Sequence, residues 1–65
     1  MTVAQHLEAI REQLDAADAD AVKADRGMKA PATRVRRALQ EIKRLAGEGR
    51  RAALVARHEA ETTPF

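Results

Sequence analysis

The sequence contains no cysteine, serine, asparagine, tryptophan or tyrosine, and its one aromatic residue is Phe65. The absence of cysteine excludes a disulfide framework. Because serine is also absent, the two commonest side-chain nucleophiles are missing. A single aromatic residue disfavours recognition by base stacking. We therefore expect no enzymatic activity and no cofactor.

Long apolar runs and metal-ligand patterns are also lacking. No segment approaches the ~20 apolar residues that span a membrane, and no signal-peptide pattern is present. His6 and His58 have no evident set of co-ligands, and the Asp15, Asp18 and Asp20 cluster lacks the glycine and glutamate of a calcium loop. We expect a soluble, cytoplasmic protein without a metal, a membrane partner or a small-molecule substrate.

Charge is divided unevenly along the chain. Residues 1–25 contain six acidic and two basic side chains, whereas residues 26–57 contain ten basic side chains and two acids, Glu41 and Glu48. The formal net charge of +2 hides this division. A basic segment opposite an acidic one is typical of proteins that contact nucleic acid or another anionic surface.

The first 28 residues have the pattern of an amphipathic helix. Their apolar side chains follow one another at spacings of four and three residues, which is a heptad seam. They are Val3, Leu7, Ile10, Leu14, Ala17, Ala21, Ala24 and Met28. Thr2 and Gln5 have the spacing of a capping box, so we predict that this helix begins at about residue 2.

Gly27 and Pro31 indicate a break in the chain. Glycine suits the left-handed position after a helix, and proline suits the first residue of the next one. We predict one domain over 1–65, with a helix over about 2–26, a turn over 27–30, a helix over about 31–60 and a tail over 61–65. The alternative is one long kinked helix, because Met28 and Val35 keep the heptad spacing.

The small size of the chain favours self-association. Sixty-five residues bury little apolar surface, and no disulfide compensates for this. We predict an all-α antiparallel two-helix hairpin that pairs into a homodimeric four-helix bundle, with a tetramer as a further possibility. The predicted core and dimer seam consists of Val3, Leu7, Ile10, Leu14, Val35, Leu39, Ile42 and Leu45.

Basic side chains follow one side of the predicted second helix, opposite its apolar side. Arginine outnumbers lysine, and guanidinium groups bind phosphate in a bidentate way. The predicted DNA contacts are Lys29, Arg34, Arg36, Arg37, Lys43, Arg44, Arg50, Arg51 and Arg57. The plainer alternative is a solvated helix face, partly neutralised by Asp18 and Asp25 of the first helix.

The segment around Gly27 resembles a known family. Its pattern is Lys-Ala-acid-base-Gly-x-Lys-Ala-x3-Arg-Val-Arg over residues 23–36, followed by an amphipathic basic stretch. This is similar to the chlamydial histone-like nucleoid proteins, over roughly residues 8–51. The resemblance implies DNA compaction and a helical region that self-associates. The lysine-rich tail of the family's best-known members has no counterpart here, so we expect DNA contacts to lie on the second helix.

Together these observations predict a nucleoid-associated protein. It would bind double-stranded DNA without sequence preference, through phosphate contacts from the second helix. The alternative is a coiled-coil interaction module whose basic helix docks on an acidic protein. RNA binding is a third possibility.

Overall fold

The computed structural model describes residues 1–62, which form two helices joined by a short turn. Helix α1 spans Val3–Asp25 and helix α2 spans Lys29–Thr62. Asp20 contacts Arg34 near the turn and His6 contacts Gly49 near the open end, so the helices pack antiparallel. The predicted all-α helical hairpin is therefore confirmed. Neither helix is long and apolar enough, within residues 1–62, to cross a membrane.

A capping box begins α1. The Thr2 hydroxyl accepts a hydrogen bond from the backbone N–H of Gln5 at 3.1 Å, and the Gln5 side chain accepts one from the Thr2 N–H at 2.8 Å. These two bonds satisfy donors that a helix N-terminus leaves without intrahelical partners. Thr2 is thus the N-cap, and Val3 is the first helical residue.

A left-handed glycine ends α1. Gly27 has φ of 85°, and its N–H donates to the carbonyl of Ala24 at 2.9 Å. The N–H of Met28 donates to the carbonyl of Lys23 at 3.2 Å, which completes a Schellman motif. The predicted role of Gly27 is confirmed. The alternative of one kinked helix is wrong, because the chain reverses at this residue.

The second helix begins earlier than Pro31. It starts at Lys29, so Pro31 is its third residue and lies buried against α1. Proline is tolerated there because the N–H groups of a first helical turn have no intrahelical partner. At the other end α2 continues through Thr62, so the predicted tail begins inside the helix and its residues 63–65 lie outside the described part of the chain.

The core is a narrow strip between the two helices. Each helix contributes two columns to it, where a column is a set of residues seven apart that lie above one another along the helix. On α1 the two columns contain Val3 and His6, and on α2 they contain Leu45 and Gly49. Leu45 is 4% exposed and His6 is 6% exposed. The imidazole of His6 donates through Nδ1 to the Thr2 carbonyl at 2.7 Å, because a carbonyl can only accept. Small residues elsewhere in these columns let the two helices approach closely.

The predicted seam is divided between the core and the surface. Leu45 is buried, and Val3, Ile10, Val35 and Ile42 are half-buried. The others remain exposed in the hairpin, with Leu7 at 61%, Leu14 at 55% and Leu39 at 56%. The reason is geometric: α1 turns the His6 column, rather than the Leu7 column, toward α2.

Candidate nucleic-acid interface

Basic side chains on α2 recur as adjacent pairs at every seventh residue. Seven residues are about two helical turns, or about 10.5 Å, so the pairs align along the helix. We call this surface the basic band; it consists of Arg36 and Arg37, Lys43 and Arg44, Arg50 and Arg51, and Arg57 and His58. All eight side chains are exposed. The sequence predicted a basic side of the helix but missed the paired repeat, which the spacing alone would have shown.

Five members of the basic band keep their full positive charge available. Arg36, Arg37, Lys43, Arg50 and Arg51 make no ion pair within residues 1–61. Four of these five are guanidinium groups, whose planar donors match phosphate oxygens. Arg36, Arg37 and Lys43 border a shallow groove, which Gln40 also lines. This stretch of α2 can therefore hold an extended anion.

Arg44 and Arg57 already hold carboxylates of their own helix. Arg44 donates through Nη1 to Glu48 at 2.9 Å and through Nε to Glu41 at 3.1 Å. Hydrogen bonding from Arg44 lowers the pKa of the Glu41 carboxyl, and the same contact raises the pKa of the Arg44 guanidinium. Arg57 Nε donates to Glu61 at 3.0 Å. These two arginines thus offer less uncompensated charge than their neighbours.

Arg34 is directed toward α1 instead of toward the basic band. Its guanidinium group donates to both carboxylate oxygens of Asp20, at 2.8 and 2.9 Å. The Asp20 side chain is 18% exposed, and hydrogen bonding from Arg34 lowers its pKa. The sequence suggested Asp18 and Asp25 as acidic partners, and it missed Asp20. Lys29, at the start of α2, is exposed and makes no ion pair within residues 1–61.

A comparison with protein families identifies the family of this chain. The family model of histone H1-like protein Hc1 matches residues 4–59, which include the turn and nearly all of both helices. The chain belongs to this family. The resemblance seen in residues 23–36 is therefore confirmed, and it extends beyond them. No match was found among curated proteins or among solved structures.

Membership of the histone H1-like Hc1 family indicates the class of protein to which the chain belongs. A histone-like family is one of DNA-binding, architectural proteins of the nucleoid, and not one of enzymes. Among residues 1–62, no group of three or more His, Asp or Glu side chains is arranged to hold a metal ion.

In this Hc1-family chain the acids of α1 leave the basic band open. Glu8, Glu12, Asp15, Asp18 and Asp25 are exposed and make no ion pair within residues 1–61. Asp20 is the acid that α1 contributes to a pair with α2, and its partner Arg34 lies outside the basic band. The division of charge along the sequence therefore persists as a division between the two helices.

Proposed function

We propose that this chain is a nucleoid-associated protein that binds double-stranded DNA without sequence preference, through phosphate contacts from the basic band and Lys29. One observation carries the proposal: the basic pairs repeat at a fixed interval along one helix, and five of their side chains make no ion pair within residues 1–61. Each phosphate that a lysine or arginine neutralises releases counterions from the duplex, which drives association.

Amide side chains, which read adenine by bidentate hydrogen bonds, are absent from the basic band. Its arginines and lysines can bind guanine edges as well as phosphates, and we assign them to phosphates because they repeat along one exposed helix face. The sequence has no asparagine, and Gln40 is the one amide beside the first two basic pairs. Contacts to phosphates fix the position of a protein on DNA but do not select a sequence. The expected binding is therefore nonspecific.

Pairing of two chains is part of the same proposal. Leu45 is the one buried large hydrophobic residue among those described, while Leu7, Leu14 and Leu39 are more than half exposed. A hairpin this thin leaves apolar surface that a homodimer would cover, and a dimer presents basic side chains from two copies to DNA. Contiguous exposed apolar patches, rather than single exposed residues, mark interaction surfaces.

Titration of labelled DNA duplexes at several salt concentrations tests the proposal. Two duplexes of unrelated sequence should bind with similar affinity, and log K should fall with log salt by about 0.9 per phosphate contacted. An RNA duplex serves as the competitor that measures preference between nucleic acids. No binding to duplex DNA at about 50 mM salt and micromolar protein would overturn the proposal and favour an acidic protein as the partner.

A further inference from the structure

The hairpin has a second apolar face beside its core. On α1 it consists of Leu7, Leu14 and Ala21, and on α2 of Ala32, Leu39, Ala46 and Ala53. Within each helix these residues are seven apart, so they form two continuous columns. The three leucines are more than half exposed, whereas Ala21 and Ala32 are partly covered. We call these seven residues the outer apolar face.

Both columns lie on the same side of the hairpin. The Asp20–Arg34 ion pair marks the opposite side. At about 100° per residue, Leu14 lies about 120° from Asp20 around α1, and Leu39 lies about 140° from Arg34 around α2. The equivalent columns on the side of the ion pair contain Lys23, Arg34, Glu41 and Glu48, so only one side of the hairpin is uniformly apolar.

We propose that a second copy of this chain covers the outer apolar face with the turns of both copies at the same end. In this arrangement α1 of each copy lies on α2 of the other. The inference rests on the pairing given under Proposed function, and it adds the geometry of that pair. Two like faces can meet around a two-fold axis that runs either along the helices or across them, and these choices put the turns at the same end or at opposite ends.

Charge beside the face favours the axis along the helices. The border of the face on α1 is acidic, with Glu8, Asp15, Asp18 and Asp25 against one base, Arg11. The border on α2 is basic, with Arg36, Lys43, Arg50 and Arg57. With the turns at the same end, each acidic border meets a basic one. With the turns at opposite ends, acids would meet acids and four bases would meet four bases, which disfavours association.

The geometry divides the basic band into two parts. Arg36, Lys43 and Arg50 border the contact between the copies, where the acids of α1 approach them. Arg37 and Arg51 lie on the far side of the band and stay accessible. The DNA-contacting arginines of a pair would then lie on two outward surfaces, one from each copy.

Distances between spin labels test the geometry without DNA. The chain has no cysteine, so Ala4→Cys and Arg26→Cys each give a single labelling site, one at each end of the hairpin. With the turns at the same end, both sites should be separated from their copies by about 10–20 Å between Cα atoms, the width of a bundle. With the turns at opposite ends, the rise per residue makes the axial separations for residues 4 and 26 add up to about 66 Å, so at least one of them exceeds about 30 Å.

A matched pair of variants tests the face itself. Leu14 and Leu54 are similarly exposed, at 55% and 53%, but Leu54 lies outside the outer apolar face. Leu14→Gln should abolish the short distances, and Leu54→Gln should leave them unchanged. A long distance at residue 4 or residue 26, no defined distance in the parent labelled proteins, or equal effects of the two glutamines would overturn the inference. Because the measurement needs no DNA, loss of DNA binding with short distances retained would count against the proposed function alone.

Discussion

Asp20 of α1 accepts two hydrogen bonds from the guanidinium group of Arg34 of α2, from Nε at 2.8 Å and from Nη2 at 2.9 Å. The bidentate geometry fixes which level of α1 faces which level of α2. It lies close to the turn, where Gly27 reverses the chain. The pair therefore aligns the two helices in the register that the short turn permits.

The Asp20–Arg34 pair predicts a loss of stability in acid. Arg34 lowers the pKa of Asp20, so the folded state holds the carboxylate more strongly than the unfolded state does. Its contribution is complete above the ordinary aspartate pKa of about 3.9 and is lost as the pH falls through the lowered value. Urea unfolding followed by circular dichroism should show that Asp20→Asn lowers stability at neutral pH and lowers it by less at about pH 2.

The control for this prediction is Glu12→Gln. Glu12 is an exposed acid of α1 that makes no ion pair within residues 1–61. Its substitution should change stability little at either pH. If Asp20→Asn and Glu12→Gln behave alike at neutral pH, the Asp20–Arg34 pair contributes nothing specific.

The ends of the helices could be predicted from the sequence because their causes are local. Thr2 and Gln5 make a capping box from residues three apart, and Gly27 alone supplies the left-handed conformation. Neither depends on what packs against the helix. The predicted start of α2, at about residue 31, lies two residues after the observed start at Lys29. Proline is tolerated anywhere in a first turn, so Pro31 restricts the boundary without fixing it.

The sequence could not predict which side of α1 packs against α2, and the reason is physical. The apolar residues of α1 occupy two adjacent columns, one through Val3 and one through Leu7. The sequence pattern predicts that these two columns together face α2, whereas the structure turns the Val3 and His6 columns toward α2. The structure buries His6 because Gly49 leaves room for it: a Cβ on Gly49 would lie 3.2 Å from His6 Cβ. This complementarity joins residues 43 positions apart, and no local pattern records it. The same facing brought Asp20, rather than Asp18, to Arg34.

Two arginines of the basic band should differ in their effect on DNA binding. Arg51 makes no ion pair within residues 1–61, whereas Arg44 holds Glu41 and Glu48. Arg51→Gln should weaken binding to every duplex alike and reduce the salt slope by about 0.9 for each phosphate that is no longer neutralised. Arg44→Gln should change the slope less, because that charge is already shared with two carboxylates. Fluorescence anisotropy at four salt concentrations measures both slopes, and a larger change for Arg44→Gln would contradict the assignment.

The glycines at 47 and 49 should respond in opposite ways to alanine. Glycine inside a helix costs roughly 0.5–1 kcal/mol relative to alanine. A methyl group on Gly47 meets nothing within 4 Å, so Gly47→Ala should raise the free energy of unfolding by about that amount. On Gly49 the methyl group would approach His6 Cβ, which is close to the backbone and cannot move far. Gly49→Ala should therefore destabilise the hairpin, as urea unfolding at a fixed protein concentration would show.

Substitution of Gly27 should destabilise the turn through the backbone alone. An added Cβ would meet no atom within 4 Å, but the residue has φ of 85°. A left-handed conformation costs a residue with a Cβ roughly 1–2 kcal/mol, and asparagine tolerates it better than alanine. Gly27→Ala should thus lower the free energy of unfolding by about 1 kcal/mol, and Gly27→Asn by less. Equal stabilities of all three proteins would show that the turn does not depend on this conformation.

Reversal of two charges should reveal which helices meet in the dimer. With the turns at the same end, Asp18 of one copy lies at the level of Arg36 of the other, although within one hairpin they lie on opposite borders of the outer apolar face. Asp18→Lys would then set lysine against arginine, and Arg36→Asp would set aspartate against aspartate. Each variant alone should dimerise more weakly, by roughly threefold to thirtyfold over the two symmetric contacts.

An equimolar mixture of these variants should recover dimerisation, because both contacts in a mixed dimer again pair opposite charges. Native mass spectrometry would count the mixed dimer against the two homodimers, with circular dichroism to show that each variant remains helical. The opposite arrangement makes a different prediction for Arg36→Asp. There α2 lies along α2 of the second copy, so removing a positive charge would relieve repulsion and strengthen the homodimer. A tighter Arg36→Asp dimer would therefore reject the same-end geometry.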